Sequence, residues 1–213
     1  FAMGAQKQEV SISKDLWVLP TELTQKMFLQ IKGEPLVGDC LDCPQAASWF
    51  TAVEFANTVS QIESLEPCYE NKRLTSLQCE GYRLPTEAEW EFLAKAGTQQ
   101  KFAGANSPTS VAYFAWNSEG RAHPVGEMKP NAWGLYDMSG NVYEWCADDF
   151  EEQGTYGEDP LVQTGGVTSF KVGKGGSYRS KEESVEVNNR TSADPSVTVP
   201  FIGFRLVRTL PKN

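Results

Sequence analysis

Gly81-Tyr-Arg-Leu-Pro-Thr-Glu-Ala-Glu-Trp-Glu91 is the stretch of this sequence that most directly predicts the fold. Within it, Thr86 and Glu89 have the spacing of a capping box, in which the threonine oxygen accepts from the Glu89 amide and the glutamate reaches back to the cap. The helix that begins there directs Trp90 towards a core. We expect this helix to end at Gly97, because glycine readily adopts the backbone conformation that closes a helix.

The chain before this stretch predicts two more helices. One covers residues 21 to about 31, where apolar residues form a stripe at helical spacing, and ends before Gly33. The other follows Ser48, a residue suited to an N-cap, and frays near Ser60. All of the predicted helices therefore lie in the first half of the chain.

Beyond Gly97 the helical spacing disappears, and Gly, Pro, Asn and Asp alternate with short aromatic and β-branched pieces. A final strand is predicted over residues 201–208, with Phe204 on one face and Arg205 on the other. Early helices followed by irregular strands predict an α+β fold that is rich in loops and has few short helices and strands. The absence of a fixed-period repeat predicts one domain over residues 1–213.

Composition excludes two classes of partner. The 213 residues carry 19 Lys and Arg against 28 Asp and Glu, a formal net charge of -9, which is the wrong sign for binding a nucleic-acid backbone. Apolar runs stay far short of the roughly 20 residues that a membrane helix needs, so no membrane span is expected. No signal-peptide pattern opens the sequence, which reads as a mature or trimmed soluble segment.

Five cysteines, at positions 40, 43, 68, 79 and 146, bear on the compartment. We predict disulfides between Cys40 and Cys43 and between Cys68 and Cys79, because each pair is close in sequence, and this predicts an exported protein, periplasmic, cell-surface or extracellular. Zinc binding is an alternative for Cys40 and Cys43, and a redox-active pair is another. Cys146 is left over, and we expect its thiol to be buried behind a neighbouring tryptophan.

Gly140-Asn141 forms a turn signal between two aromatic pieces of chain. One interpretation is a tight turn with buried aromatic rings. The other is a calcium site, because a turn can present backbone carbonyls between two carboxylates, here Asp137 and Glu144, and hard cations bind several oxygens.

Several motifs in order along the chain resemble the formylglycine-generating-enzyme family, whose fold is similar to C-type lectin domains. They are Phe1-Ala-Met-Gly4, the stretch 81–91, Pro130-Asn-Ala-Trp-Gly-Leu-Tyr-Asp137 with Met138-Ser-Gly-Asn-Val-Tyr-Glu-Trp145, Gly175-Gly-Ser-Tyr178, and Gly203-Phe-Arg205. The resemblance covers nearly the whole chain. It implies a calcium ion, Ca²⁺, held by the Asp137 side chain, the Gly140 and Val142 carbonyls and Glu144.

The resemblance also implies an oxidase that uses two copper-binding cysteines shortly after the Gly-Gly-Ser segment. In this chain residues 179–190 contain no cysteine, and Ser180 and Val185 fall near the expected positions. Because soft thiolates are the ligands that copper(I) prefers, we expect no copper here. A related branch needs iron held by several imidazoles, but His123 is the single histidine, so no iron is expected and His123 is interpreted as a hydrogen-bonded structural residue.

What remains is a surface over residues 178–200, where the family places its substrate cleft. The candidate ligand-face residues are Tyr178, Arg179, Asn188, Arg190 and Asp194. A charged stretch is commonly a solvated face, but loops on a rigid scaffold also carry recognition. We expect a non-catalytic recognition or structural module that binds a protein or small-molecule ligand. The alternative is an enzyme of the sulfatase-modifying family with a divergent site.

Overall fold

The computed structural model describes residues 1–33, 40–154, 156–166 and 169–211. The architecture is α+β and rich in loops, as predicted. The α-helices are α1 (Gln25–Lys32), α2 (Trp49–Ile62) and α3 (Glu87–Lys95), and short 3-10 helices cover Pro108–Ser110 and Glu182–Val185. The strands are β1 (Ala2–Met3), β2 (Gln8–Ser11), β3 (Leu16–Val18), β4 (Tyr69–Glu70), β5 (Arg73–Leu74), β6 (Tyr82–Arg83), β7 (Tyr143–Asp149), β8 (Gly157–Glu158), β9 (Lys171–Lys174), β10 (Arg190–Ala193), β11 (Ile202–Gly203) and β12 (Val207–Thr209).

Helix α3 begins as its sequence predicts. The Thr86 side chain accepts from the Glu89 amide at 3.1 Å, and the Glu89 carboxylate accepts from the Thr86 amide at 2.9 Å. Glu89 also forms a buried ion pair with Arg83, at 2.6 Å. The helix ends at Lys95 and its C-cap is Ala96, so the predicted end at Gly97 is one residue late.

Helix α2 follows its predicted cap, since the Ser48 side chain accepts from the Thr51 amide. It continues to Ile62 and does not fray at Ser60. The Ser60 hydroxyl is buried and donates to the Ala56 carbonyl at 2.9 Å, while it accepts from the Tyr82 amide at 2.8 Å. That second bond ties the end of α2 to strand β6.

Helix α1 starts later than predicted. Its N-cap is Thr24, whose side chain accepts from the Met27 amide, so residues 21–24 are not helical. The Leu23 amide instead donates to the Phe204 carbonyl at 2.8 Å, a partner so distant in sequence that local spacing does not reveal it. This distant partner keeps the segment extended. The predicted end is right, because Gly33 is the C-cap with φ of 94°.

The largest sheet has the strand order β10-β9-β7-β11. Strands β7 and β9 are antiparallel, and β11 lies parallel to β7. A second sheet has the order β3-β12-β6, a third has β1-β2-β8, and β4 with β5 forms a hairpin. The last strand of the chain is therefore the central strand of its sheet.

The single strand predicted over residues 201–208 is divided in the structure. Strand β11 pairs with β7, whereas β12 pairs with β3 and β6 in another sheet. Between them the Phe204 and Leu206 carbonyls accept from the Leu23 and Leu19 amides, and the Arg205 side chain is fully buried. The prediction of one continuous strand was wrong because this segment moves from one sheet to another.

Buried aromatic residues join the helices to the sheets. The Trp49 indole donates to the Cys146 carbonyl at 2.8 Å, and the Trp145 indole donates to the Ala47 carbonyl at 2.8 Å. Each ring therefore buries its apolar surface while its N–H keeps a partner. Trp90 is fully buried in a second hydrophobic cluster, which also contains Cys146 of strand β7.

Both predicted disulfides are present, Cys40–Cys43 and Cys68–Cys79. The zinc alternative for the first pair is excluded by that bond. No helix within the described ranges is long and apolar enough to cross a membrane.

Candidate recognition site

The turn at residues 137–142 is held by backbone contacts that leave no room for a side chain at Gly140. Asp137, Gly140 and Asn141 have positive φ values of 58°, 81° and 57°. A Cβ at Gly140 would lie 2.2 Å from the Tyr113 carbonyl oxygen, so glycine is required there. The Asn141 amide donates to the same oxygen at 2.8 Å. The predicted tight turn is confirmed.

Beyond the turn, Glu144 is fully buried and its carboxylate has three donors. Arg205 donates from Nε at 2.6 Å and from Nη2 at 2.7 Å, and the Trp90 indole donates at 2.8 Å. Arg205 and Glu144 therefore form a bidentate guanidinium–carboxylate pair, which is stronger than hydrogen bonds between neutral groups. Arg205 also donates to the Tyr136 carbonyl at 2.8 Å, so it anchors both ends of the turn.

Two more carboxyl groups lie near Arg205. Glu22 is fully buried and accepts from the Asn141 side chain at 2.8 Å and the Val142 amide at 3.0 Å. Burial raises the pKa of Glu22, and the neighbouring charges of Asp137 and Glu144 raise it further. Burial likewise raises the pKa of Asp137 to about 6, against the lowering effect of its hydrogen bond from the Gly126 amide. The raised pKa values reflect burial together with the repulsion between these carboxyl groups.

Calcium at this turn stays a prediction. In the described part of the chain no group of three or more His, Cys, Asp or Glu is arranged to hold a metal ion. Both oxygens of Glu144 accept from Arg205, so an ion bound there needs Glu144 to release or share that guanidinium. The Asp137 carboxylate and the Gly140 and Val142 carbonyls would supply the other ligands.

Ser180 and Val185, which fall near the positions expected for the oxidase cysteines, are both packed. The Ser180 hydroxyl accepts from the Ser177 amide at 2.9 Å and lies 3.3 Å from the Tyr143 hydroxyl. Val185 is fully buried, and a Cβ on Gly176 would lie 2.5 Å from its side chain. A hydroxyl and an isopropyl group therefore occupy this part of the domain, and neither supplies a thiolate.

Cys146, the cysteine outside both disulfides, is fully buried as predicted. Burial raises the pKa of its thiol, and the neighbouring carboxylate of Asp148 raises it further, so the reactive thiolate is disfavoured. His123 is buried and hydrogen-bonded as predicted: its Nε2 lies 2.9 Å from the Ser118 carbonyl, and its ring stacks on Tyr113.

The predicted ligand-face residues lie in different surroundings. Tyr178 is 4% exposed, whereas Arg179 is exposed and its guanidinium lies 5.2 Å from the ring centres of both Tyr178 and Phe201. Asp194 is exposed and accepts from the Ser196 amide and hydroxyl, which makes it a turn residue.

Asn188 and Arg190 are half-buried and line a cavity of about 230 Å³ beside residues 3–8. Arg190 donates to the buried Glu87 carboxylate at 2.8 Å and to the Glu151 carbonyl at 2.6 Å. Tyr178 lines a different cavity. Arg190 therefore belongs to an ion pair at the start of α3, and the structure does not bring all five residues to one cavity.

A cleft that sequence reasoning missed lies beside the packed serine and valine. It has a volume of about 530 Å³ and is lined by Thr109, Phe114, Ala115, Trp116, Lys181, Glu182 and Glu183; we call it the Trp116 cleft. The Trp116 side chain is 75% exposed and stacks on Phe114, with ring centres 6.3 Å apart. The Ala115 amide donates to the Ser180 carbonyl at 3.0 Å, which holds the two walls together.

One wall of this cleft was predicted from the sequence, and the other was missed. Residues 181–183 fall inside the predicted surface segment, but Trp116 lies in a different part of the chain. An exposed tryptophan cannot be told from a buried one by composition, since this chain has six and several are in the core.

Fold and site together define a loop-rich domain of the formylglycine-generating-enzyme kind, in which residues 179–190 contain no cysteine. Comparison with protein families gives the particular assignment. The model of the sulfatase-modifying factor enzyme 1-like domain matches residues 41–210, and the chain belongs to that family.

Proteins similar in sequence or structure to this chain have been given different functional names. The chaperone protein LppX of Paenibacillus barcinonensis is 29% identical over 92% of this chain and 80% of its own length. The formylglycine-generating enzyme of Thermomonospora curvata is 33% identical over 59% of this chain and 48% of its own, so the chain spans about half the length of that enzyme. Among solved structures, Treponema denticola variable protein 1 has a TM-score of 0.81 and 30% identity, covering 93% of this chain and 86% of its own.

Proposed function

We propose that this chain is an exported, non-catalytic recognition module that binds a protein partner through the Trp116 cleft. The observation that carries the proposal is the filling of the two thiol positions by Ser180 and Val185, directly beside an exposed aromatic cleft. The scaffold is kept while the group that would handle copper and oxygen is replaced, which favours binding as the retained activity.

The cleft has the chemistry of a protein-binding centre. Exposed tryptophans are enriched among the residues that contribute most to protein–protein affinity, because a large ring buries much surface with little loss of side-chain freedom. The Trp116 ring lies within 25° of parallel to the Phe114 ring, so the two rings together form an aromatic surface. Glu182 and Glu183 at the rim favour a basic side chain on the partner, which they would attract during association.

Two further observations support the kind of partner and the compartment. The relative LppX, which this chain matches over most of its length, is named a chaperone, and a chaperone binds protein. The two disulfides are of the sort that form and persist in oxidising compartments. Both favour a protein partner met outside the cytoplasm.

The test compares capture of exported proteins by the wild-type domain and by two matched variants. Trp116→Ala removes the platform, and Trp133→Ala removes an indole that is 47% exposed and does not line the cleft. We expect a partner, once identified, to bind wild type and Trp133→Ala equally and Trp116→Ala at least tenfold more weakly, as when a central interface residue is truncated. Equal binding by all three would contradict a role for the cleft.

The alternative function is an oxidase, favoured by the relatives that are named formylglycine-generating enzymes. It is tested with a Cys-x-Pro-x-Arg peptide, copper and oxygen, with mass spectrometry of the peptide. We expect the cysteine to stay unmodified because residues 179–190 contain no thiol. Conversion to formylglycine, even slow, would contradict the non-catalytic proposal.

A further inference from the structure

A second cavity lies between the start of helix α1 and the Cys40–Cys43 loop. Its volume is about 390 Å³, within the range of about 300–1,000 Å³ that is typical of ligand pockets. We call it the Gln25 pocket. Its lining residues are Gln25, Cys40, Cys43, Pro44, Ala46, Gly120, Arg121, Ala122, Pro124, Tyr178 and Pro200.

The walls of the Gln25 pocket are fixed by hydrogen bonds between its segments. The Cys43 and Leu41 carbonyls accept from the Gln25 and Lys26 amides at 2.9 and 2.8 Å. The disulfide loop thereby supplies partners to the first amides of α1, which have none within the helix. On the other side the Val125 amide donates to the Asp42 carbonyl at 2.9 Å. The pocket is therefore preformed.

One residue that lines the pocket carries a buried polar atom without a partner. Gln25 is 6% exposed, and its Oε1 atom is buried with no hydrogen-bond partner among the described residues. Buried side-chain oxygens are nearly always hydrogen-bonded, because losing contact with water is unfavourable unless another donor replaces it. An unpaired carboxamide oxygen on a residue that lines a cavity points to a ligand that supplies the missing donor.

The chemistry of the lining indicates the kind of ligand. A carboxamide carries a carbonyl acceptor and an N–H donor side by side, and the group that matches both is another amide, such as a peptide unit. Around it the surface is apolar, with a disulfide, the prolines Pro44, Pro124 and Pro200, and the Tyr178 ring. Leu41, 47% exposed on the disulfide loop, extends that apolar surface outside the pocket.

We propose that the Gln25 pocket binds a peptide unit from an extended segment of a protein partner, with an apolar side chain of that segment against the disulfide and the prolines. Because Oε1 is buried in the unbound domain, the Gln25 carboxamide turns into the pocket on binding and its Oε1 accepts from the backbone N–H of the segment. This rests on the proposed function in so far as the partner is a protein, but it assigns a different part of the surface, with its own recognition chemistry.

The test uses a small probe, N-acetyl-leucine N-methylamide, and its analogue N-acetyl-leucine methyl ester, which lacks one N–H. Binding to the intact wild-type domain is followed by the amide signals of ¹⁵N-labelled protein. We expect the amide probe to shift the signals of Gln25, Cys43 and Ala122. The ester should bind about tenfold more weakly, a difference typical of one lost hydrogen bond to a buried acceptor.

Two glutamine variants separate a binding role from a structural one. Gln25→Met removes the carboxamide at similar volume, and Gln61→Met changes an exposed glutamine of α2 as the matched control. We expect Gln25→Met to weaken the amide probe about tenfold and to leave the melting temperature equal or higher, because a buried atom without a partner is lost. Gln61→Met should change neither quantity.

Three results would overturn the proposal: probe shifts located elsewhere, equal affinity for the amide and the ester, or a lower melting temperature in Gln25→Met. The comparison of amide and ester on wild type needs no variant to fold. If an identified partner binds Gln25→Met normally but not Trp116→Ala, the Gln25 pocket has no role and the proposed function stands. If the probe binds as expected while no partner protein is bound, the proposed function fails and the pocket chemistry stands.

Discussion

Replacing Glu144 with glutamine perturbs a fully buried charge pair. The pair with Arg205 has side-chain exposure of 0% on both partners, and its two hydrogen bonds are 2.6 and 2.7 Å long. Glutamine keeps the shape of the side chain and removes the charge, so the guanidinium stays buried with a weaker partner. Breaking such a pair from one side destabilises a protein by about 3–5 kcal/mol.

The neighbours of Arg205 place the expected loss at the lower end of that range. Glu22 has its pKa raised by burial, then by Asp137 and by Glu144. When the Glu144 charge is removed, the pKa of Glu22 falls and its carboxylate takes over part of the pairing with Arg205. We therefore expect Glu144→Gln to lose about 3 kcal/mol.

Urea unfolding followed by tryptophan fluorescence measures this loss. In a chain of this size about 1 kcal/mol corresponds to about 2–4 °C, so the melting temperature should fall by about 6–12 °C. The double variant Glu144→Gln/Arg205→Met should lose less than the sum of its single variants, because the second change removes the charge that the first left unpaired. Glu183→Gln, at an exposed carboxylate, is the control. A loss below about 1 kcal/mol, or additive losses, would refute this account of the pair.

Three other outcomes are expected. Calcium at about a hundred times its Kd should stabilise the wild type by roughly 2.7 kcal/mol, reversed by chelator and reduced in Glu144→Gln; equal melting temperatures with calcium and after exhaustive chelation would leave a structural turn only. Burial and the charge of Glu87 raise the pKa of Asp148 to about 7, so the folded state binds a proton there more tightly than the unfolded state does. The resulting contribution to stability is complete below the ordinary aspartate pKa and is lost as pH rises through about 7. The free energy of unfolding of Asp148→Asn, measured with urea, should therefore rise relative to that of the wild type between pH ~4 and ~8. A difference between the two free energies that does not change with pH would contradict the raised pKa. Arg190→Ala, which breaks the pair with buried Glu87, should lower the melting temperature, whereas the exposed Arg179→Ala should change stability by no more than about 0.5 kcal/mol.

Local chemistry explains which parts of the fold could be predicted from the sequence. The caps at Ser48 and Thr86 depend on residues three positions away, so they are visible in a short window. The predicted start of α1 was wrong because the Leu23 amide is hydrogen-bonded to the Phe204 carbonyl. Residues 201–208 were predicted as one strand, but the chain leaves the first sheet where the Arg205 side chain is buried against Glu144. Those partners are distant in sequence and cannot be read from periodicity.

The candidate site divides in the same way. The central turn and the missing thiols could be predicted, since glycine, asparagine and cysteine have position-specific chemistry. The Trp116 cleft could not, because its two walls come from residues 109–116 and 181–183 and meet only through tertiary packing. The Gln25 pocket was proposed from a carboxamide oxygen without a hydrogen-bond partner, and hydrogen-bond partners are known only once the chain is folded.

The central place of β12 in its sheet has a consequence for biosynthesis. During synthesis from the N-terminus, β3 and β6 leave the ribosome long before residues 207–209, and until then both lack the strand that joins them. We expect nascent chains ending before Val207 to be cut readily by protease near β3 and β6, and chains extended past Thr209 to become resistant. A domain whose β3-β12-β6 sheet forms only after residue 209 therefore lacks that sheet for most of its synthesis.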